Sequence, residues 1–340
     1  MSGTALSSLG DVTAAPLLGS SAFPLMIRPA VGMREPLQWG ASHREAIESL
    51  VHEYGAVLFR GFSLCGPTDF EAFVDAICPA EWVEYREAST PRSNVGGHVS
   101  TSTEYPANLR IYVHNENSHV TSWPLYLFFH CVRPAEEGGY TPLADCQRVW
   151  KRLPETLRAQ FAEKGWLYRR NFAPGSSFTW QKTFGLTTWE ELERYCDENY
   201  MTLMQQNGVV SVRYRRWASL PHVRTGEMTW FNHGTFFNPH AQESRLKAMV
   251  LAMGEDRRPY NTYYGDGTCV EAETIGVLDE AYTRETVSFP WEAGDVLMLD
   301  NMRIAHGRMS YRGQREVLVT MKHKIRCEDV VPCELYRAPR

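Results

Sequence analysis

No CxxC pair occurs among the eight cysteines, Cys65, Cys78, Cys131, Cys146, Cys196, Cys269, Cys327 and Cys333. That absence excludes the common structural zinc sites, and a chain of 340 residues buries enough core to need no disulfide framework. The cysteines are expected to be buried free thiols in a reducing, cytoplasmic compartment. Basic residues are not in excess either. Lys+Arg number 35 against 40 Asp+Glu, a net charge of −5, which disfavours nucleic acid as a partner. The densest basic run, "RYRRW" at 213–217, reads as a solvated strand end. No stretch approaches about 18 consecutive apolar residues, so no membrane-spanning helix is expected. The N-terminus "MSGTALSSLGDVTAAPLLGSSAF" lacks a charged segment followed by a continuous apolar one, so it does not read as a signal peptide. Residues 1–22 are expected to form a flexible leader and 23–340 a single domain. Neither an internal repeat nor a low-complexity segment is visible.

What is present is a set of short strand-like runs broken by helices. "HREAIESLVHEYGAVLFRGF" (43–62) begins as an amphipathic helix and passes through Gly55 into a buried strand. "PTDFEAFVDAI" (67–77) predicts a second helix with Thr68 as N-cap. The Gly/Ser/Thr stretch 91–108 has no periodicity, and loops of this length are often functional. Strands are expected in "LRIYVH", "PLYLFFHCV", "VSVRYRRW", "MTWFN", "ETVSFPW" and "DVLMLDN". Between them lie a helical segment at 143–165 broken at Pro154 and another at 187–205 with capping-box spacing from Thr188 to Glu191. The pattern predicts a mainly β fold, a sandwich or barrel core with helical decoration.

In "LRIYVHNE", Leu109, Ile111 and Val113 alternate with Arg110, Tyr112 and His114, which predicts a strand with His114 opposite the apolar set. Glu116 would share the face of His114 about 7 Å further along. An HxE triplet alone is a weak signal. Two histidines and one carboxylate, however, make the facial triad of non-haem Fe(II) oxygenases, which leaves three coordination positions open. The second histidine must come from a distant strand, and His306 follows the turn at Gly294-Asp295 and the run "VLMLDN". Further on, Arg315, Val317, Val319 and Met321 fall on one face. An arginine among apolar residues, with no acidic neighbour on its face, needs an anionic partner. A dicarboxylate bound bidentately would serve.

Together these features resemble the taurine dioxygenase superfamily of Fe(II)- and 2-oxoglutarate-dependent oxygenases. More narrowly, they resemble the branch of syringomycin-biosynthesis-type amino-acid hydroxylases and clavaminate-synthase-like proteins. The residues that carry the resemblance are "YGAVLFRGF", "VGGHVSTSTEYP", "HNENS", "SWPLYLFFHCVRPAEEGGYTPLADCQRVW", "FTWQKTFG", "RTGEMTWFN", "LDNMRIAHGR" and "GQREVLVTM". The resemblance implies a double-stranded β-helix (jelly-roll, cupin-like) core, iron held by His114, Glu116 and His306, and 2-oxoglutarate and O2 as co-substrates. The family's GGxT segment matches Gly138, Gly139 and Thr141, whose hydroxyl would help hold the distal carboxylate of 2-oxoglutarate with Arg315; Arg308 is the alternative. Glu116 replaces the commoner aspartate. An alanine or glycine there would have opened a halide site, so halogenation is disfavoured. Thr101 and Ser102 match a segment that lies near the active site in related proteins.

The implied reaction is hydroxylation of an unactivated C–H of an amino acid or derivative, free or tethered to a peptidyl carrier protein, in specialised metabolism. Desaturation, epoxidation or cyclisation would use the same cofactors. Arg110, Arg169, Arg170 and Arg224 are each candidates for a substrate carboxylate, and His119 and Asn232 for the pocket wall. His130 reads as a core histidine, and His233 and His240 as solvent-facing or pocket-rim groups. Two other classes stay open on the residues alone: a zinc-dependent hydrolase or lyase, and a non-catalytic or sensing protein that retains the fold.

Overall fold

A computed structural model describes residues 9–19, 21–84, 87, 92–103, 105–176 and 179–332. Apolar runs in mid-chain build a large major sheet. Its strands lie in the order Val12–Leu18, Ser21–Pro29, Ala56–Phe59, Val296–Asp300, Ser122–Arg133, Glu316–Arg326, Val99–Thr101, Asn94–Gly96. Every pairing is antiparallel except that of Ser21–Pro29 with Ala56–Phe59. A minor sheet of four short antiparallel strands runs Thr286–Val287, Leu143–Asp145, Ile304–Arg308, Ile111–His114. The two sheets share one apolar layer. Leu127, Phe129, Leu297, Leu299, Val317 and Val319 of the major sheet meet Leu143 and Ile304 of the minor one. This is a mainly β fold with helical decoration around a jelly-roll core, as expected.

The helices cover the outside. Arg44–Tyr54 and Gly66–Ile77 bury Ile47, Leu50, Val51, Phe70, Phe73 and Val74 against the far face of the major sheet. Each such side chain contributes about 1.5–3 kcal/mol by leaving water. A third sheet, in the order Thr202–Gln206, Val209–Arg216, Trp166–Phe172, Tyr260–Tyr264, packs with Cys146–Arg152 and Ala272–Glu285 behind the minor sheet.

Several expectations need correction. The stretch read as a flexible leader carries the strand Val12–Leu18, paired along Ser21–Pro29, and Leu9 is buried; residues 1–8 and Ser20 lie outside the described residues. Thr68 does not cap its helix; the N-cap is Cys65, whose backbone N–H donates to Asp69 Oδ2 at 3.0 Å. "RYRRW" is no solvated end, because Tyr214, Arg216 and Trp217 are buried. Cys327 is disulfide-bonded, and Cys65 and Cys269 are exposed, so the picture of eight buried free thiols fails at three positions. Cys333 lies outside the described residues. The capping box at Thr188 and Glu191 and the break before Pro154 are as the sequence predicts. The 187–205 segment ends its helix at Glu198 and continues as the strand Thr202–Gln206. Among the described residues no helix is long and apolar enough to cross a membrane.

Candidate functional site

His114 ends a minor-sheet strand and pairs in register with His306 on the next. The strict alternation read from the sequence does not hold there. A β-bulge lies between the His306–His114 and Arg308–Ile111 pairings, so Ile111 and His114 both face the cleft. Tyr112 and Val113 pack the other way, on the core behind the sheet. Glu116 follows in a tight turn clamped by the fully buried Asn301. The Glu116 N–H donates to Asn301 Oδ1 at 2.7 Å, and Asn301 Nδ2 donates to the carbonyls of Glu116 and Pro124, both at 2.9 Å. One donor atom from each of His114, Glu116 and His306 lies within 4.8 Å of the others, and all three residues are buried.

The electrostatics suit a cation. His114 Nδ1 lies 2.8 Å from the Tyr112 carbonyl, so Nδ1 carries the proton and Nε2 keeps a lone pair. Burial lowers the pKa of His114 and pushes that of His306 well below its ordinary value, so both rings are neutral. Burial would raise the Glu116 carboxyl, but the charge of Arg92 beside it holds it below the usual carboxylate range. Arg92 donates to Glu116 Oε2 at 2.6 Å. The sequence reading did not single out Arg92. Its one signal was its place in the aperiodic 91–108 stretch.

Arg92, His114 and His306 line a cleft between the two sheets, walled also by Ser102, Phe129, Thr141, Arg308, Arg315, Val317 and Val319. The Phe129 ring lies tilted against that of His306, with centroids 5.1 Å apart. Arg315 stands just before the strand Glu316–Arg326. Its Nε donates to the Gly139 carbonyl at 2.9 Å, and its Nη1 reaches Ser102 Oγ at 3.5 Å. Gly139 has φ +68, and a Cβ there would sit 3.0 Å from Arg315 Cδ, so glycine permits this approach. Among the described residues no carboxylate pairs with Arg315, and burial and the nearby Arg308 lower its pKa to about 10. Arg308 is held differently, with three donations to the carbonyls of Tyr105, Pro106 and Leu109. Thr141 Oγ1 accepts from Trp291 Nε1 at 3.1 Å, which leaves its own hydroxyl proton to donate elsewhere.

The remaining candidates separate. Thr101 is half-buried beside the cleft, and its hydroxyl accepts from the Ser93 N–H at 2.9 Å. Arg110 is outside the site, about half exposed and 3.6 Å from Glu243. Arg224 pairs with Glu48 at the surface, and Arg169 lines a separate cleft on the third sheet. Asn232 is satisfied by backbone: it donates to the Ala218 carbonyl and accepts from the Gly234 N–H. His119 and Arg170 are buried. His130 is a core residue, as expected. His233 is not solvent-facing. It is buried, with its ring 5.1 Å from that of His114.

A jelly-roll cleft with two neutral histidines, one carboxylate and an uncompensated guanidinium defines the class of non-haem, keto-acid-dependent oxygenases. Within that class, residues 21–321 match the taurine catabolism dioxygenase TauD, TfdA family, and the chain belongs to it. It is an Fe(II)- and 2-oxoglutarate-dependent dioxygenase. That membership sets aside the zinc-hydrolase and fold-only readings. The chain is 33% identical to the dapdiamide synthesis protein DdaC of Enterobacter agglomerans, over 81% of this chain and 84% of that protein. It is 30% identical to a clavaminate synthase-like protein of Arabidopsis thaliana, over 86% and 89%. Among solved structures, PvcB of Pseudomonas aeruginosa shares the fold with a TM-score of 0.57 at 14% identity, covering 93% of this chain and 94% of that one.

Proposed function

We propose that the protein oxidises an unactivated C–H bond of an amino acid or amino-acid derivative, with hydroxylation as the outcome, in the synthesis of a specialised metabolite. His114, Glu116 and His306 hold the iron, and Arg315 and Thr141 hold the distal carboxylate of 2-oxoglutarate. Residues 23–340 are read as one oxygenase domain. The observation that carries this is the pairing of three metal-binding donors within 4.8 Å of one another, two of them lining the cleft, with a cleft arginine that has no carboxylate partner among the described residues. The similarity to a dapdiamide synthesis protein supports an amino-acid-derived product.

Bound iron with 2-oxoglutarate and O2 supplies an oxidant able to attack a C–H bond, with succinate and carbon dioxide released. The chain's own residues prepare that site. Tyr112 fixes the His114 tautomer. Arg92 donates to Glu116 Oε2 and would orient the carboxylate that holds the metal. Ile111, Phe129, Val317 and Val319 line the cleft with apolar surface that keeps water away from the reacting carbon. The test is Fe(II) binding with 2-oxoglutarate under anaerobic conditions, followed by the visible charge-transfer band, together with succinate release. His306→Ala should lose the band and turnover while keeping its far-UV circular dichroism. A wild-type band in that variant would show that the third ligand lies elsewhere.

A further inference from the structure

The third sheet has an outer face that the reaction outlined above leaves unused. In the strands Trp166–Phe172 and Val209–Arg216 the buried Tyr168, Arg170, Val212 and Tyr214 turn inward, which puts Arg169 and Arg213 on the opposite face. The register pairs those two arginines directly across the strands. They line a cleft together with Met204, Val209 and Asp256, and that cleft shares no residue with the one at His114 and His306.

Like charges set directly opposite on two strands destabilise the pair. Among the described residues no carboxylate lies within ion-pair distance of either arginine, and the Arg213 guanidinium makes no hydrogen bond although its Nε is buried. Arg169 has one neutral acceptor, Asn171 Oδ1, 3.2 Å from its Nε. The two acidic side chains of the turn after Gly254 are directed elsewhere. Glu255 Oε1 accepts from the Tyr263 hydroxyl. Asp256 Oδ1 lies back over Gly254, so close that a Cβ there would sit 2.8 Å from it. Burial, and after it the facing Arg169, lower the pKa of Arg213; Tyr263 and Glu255 act the other way without offsetting them. Buried donors are almost always paired, so two opposed guanidiniums left without an anion in a cleft point to a ligand.

We propose that Arg169 and Arg213 form a second binding site, for an organic phosphomonoester. Its phosphoryl group, which carries about −1.5 to −2 at pH 7, lies between the two guanidiniums, and its organic part runs along Met204 and Val209. Charge decides the class. A carboxylate would neutralise one arginine and leave the other, whereas a phosphoryl dianion matches both, and guanidinium forks fit its oxygens. Met204, 39% exposed in the cleft wall, is apolar surface that inorganic phosphate alone would leave in water. Because this cleft is separate from the metal-binding one, its ligand is neither the oxidised substrate nor the keto acid.

The test uses the full chain in phosphate-free buffer at constant ionic strength, with phenyl phosphate, inorganic phosphate and benzoate as probes. Isothermal calorimetry gives affinity and thermal unfolding gives Tm. Phenyl phosphate should bind more tightly than inorganic phosphate and about tenfold or more above benzoate, and should raise Tm with the logarithm of its concentration. Arg213→Met and Arg169→Met should each weaken phenyl phosphate about tenfold or more. Without ligand, Arg213→Met should be at least as stable as the natural chain, because it removes a facing like charge and breaks no hydrogen bond; a purely structural arginine would instead lower Tm when removed. Should a variant fail to fold, the comparison of the three probes on the natural chain decides alone. No binding of phenyl phosphate, or benzoate bound equally well, would overturn the site. A response undiminished in Arg213→Met would place the anion on other cations, such as Arg315, and overturn it too. Inorganic phosphate bound as tightly as phenyl phosphate would overturn the organic part assigned to Met204 and Val209.

Discussion

Arg315 and Arg308 sit in the same cleft and differ in what already holds them. Arg308 uses its guanidinium on three carbonyls of the 105–109 segment. Arg315 has one firm bond, to Gly139, and keeps an uncompensated charge in a buried wall. Arg315→Ala should therefore raise the KM for 2-oxoglutarate by about 10- to 150-fold, the range of a charge-assisted hydrogen bond of roughly 1.5–3 kcal/mol. Thr141→Val should act the same way but more weakly, because it deletes one neutral donor. Arg308→Ala should instead lower stability by on the order of 3 kcal/mol, since it leaves buried carbonyls unpaired. Steady-state titration of 2-oxoglutarate beside chemical denaturation separates the two arginines. A co-substrate defect confined to Arg308→Ala would reverse the assignment.

The turn that carries Glu116 is held by something that sequence inspection does not reveal. Asn301 lies 185 residues away in sequence and makes three hydrogen bonds to the backbone of Glu116 and Pro124. Asn301→Ala should destabilise the protein by about 2–4 kcal/mol, from several net bonds of about 1 kcal/mol each plus unsatisfied buried groups. It should also weaken metal binding about 10- to 100-fold, as loss of a support behind a ligand does. Metal titration of the folded variant checks this, and an unchanged affinity would show that the turn holds itself. The same contrast explains what was legible beforehand. His114, Glu116 and His306 were legible from residue chemistry and the family resemblance rather than from strand alternation, and Arg315 from its place in line with Val317 and Val319. The helix Trp189–Glu198 could be found because its cap is written in four consecutive residues. The bulge beside His114 was not legible, since it arises from pairing with a strand nearly 200 residues on. Arg92 and His233 were missed or misread because each reaches the site from an irregular segment whose path only tertiary packing decides. "RYRRW" looked solvated for a related reason: the burial of Arg216 depends on three carbonyls from other segments and its neighbour.

Both walls of the cleft belong to different sheets, so anything bound there bridges them. Metal and co-substrate that bind only the folded state should stabilise it by about 2.7 kcal/mol at a free concentration a hundred times Kd. Differential scanning calorimetry with Mn(II) and N-oxalylglycine together should show a rise in Tm that grows with the logarithm of ligand concentration. A Tm that does not respond would mean that the two walls do not share a ligand. The charge balance across the molecule fits a small anionic co-substrate better than a polyanion, because the net charge is −5 and Arg315, which has no carboxylate partner among the described residues, lines the cleft.

Phe129 comes from the major sheet and rests on His306 of the minor one. It therefore acts as a spacer, and the gap that it sets is a ruler. The proposed metal ligands hang from one side of that gap and Arg315 from the other. In the proposed binding mode a keto diacid would reach both, so its length would be gauged by the separation of two sheets rather than by any single contact. Oxaloacetate, one carbon shorter than 2-oxoglutarate, would leave either its keto end or its far carboxylate short. On that binding mode, selectivity for the co-substrate would be a dimension of the sandwich, and trimming the aromatic ring between the sheets should blur the choice of acid without touching a group that binds it.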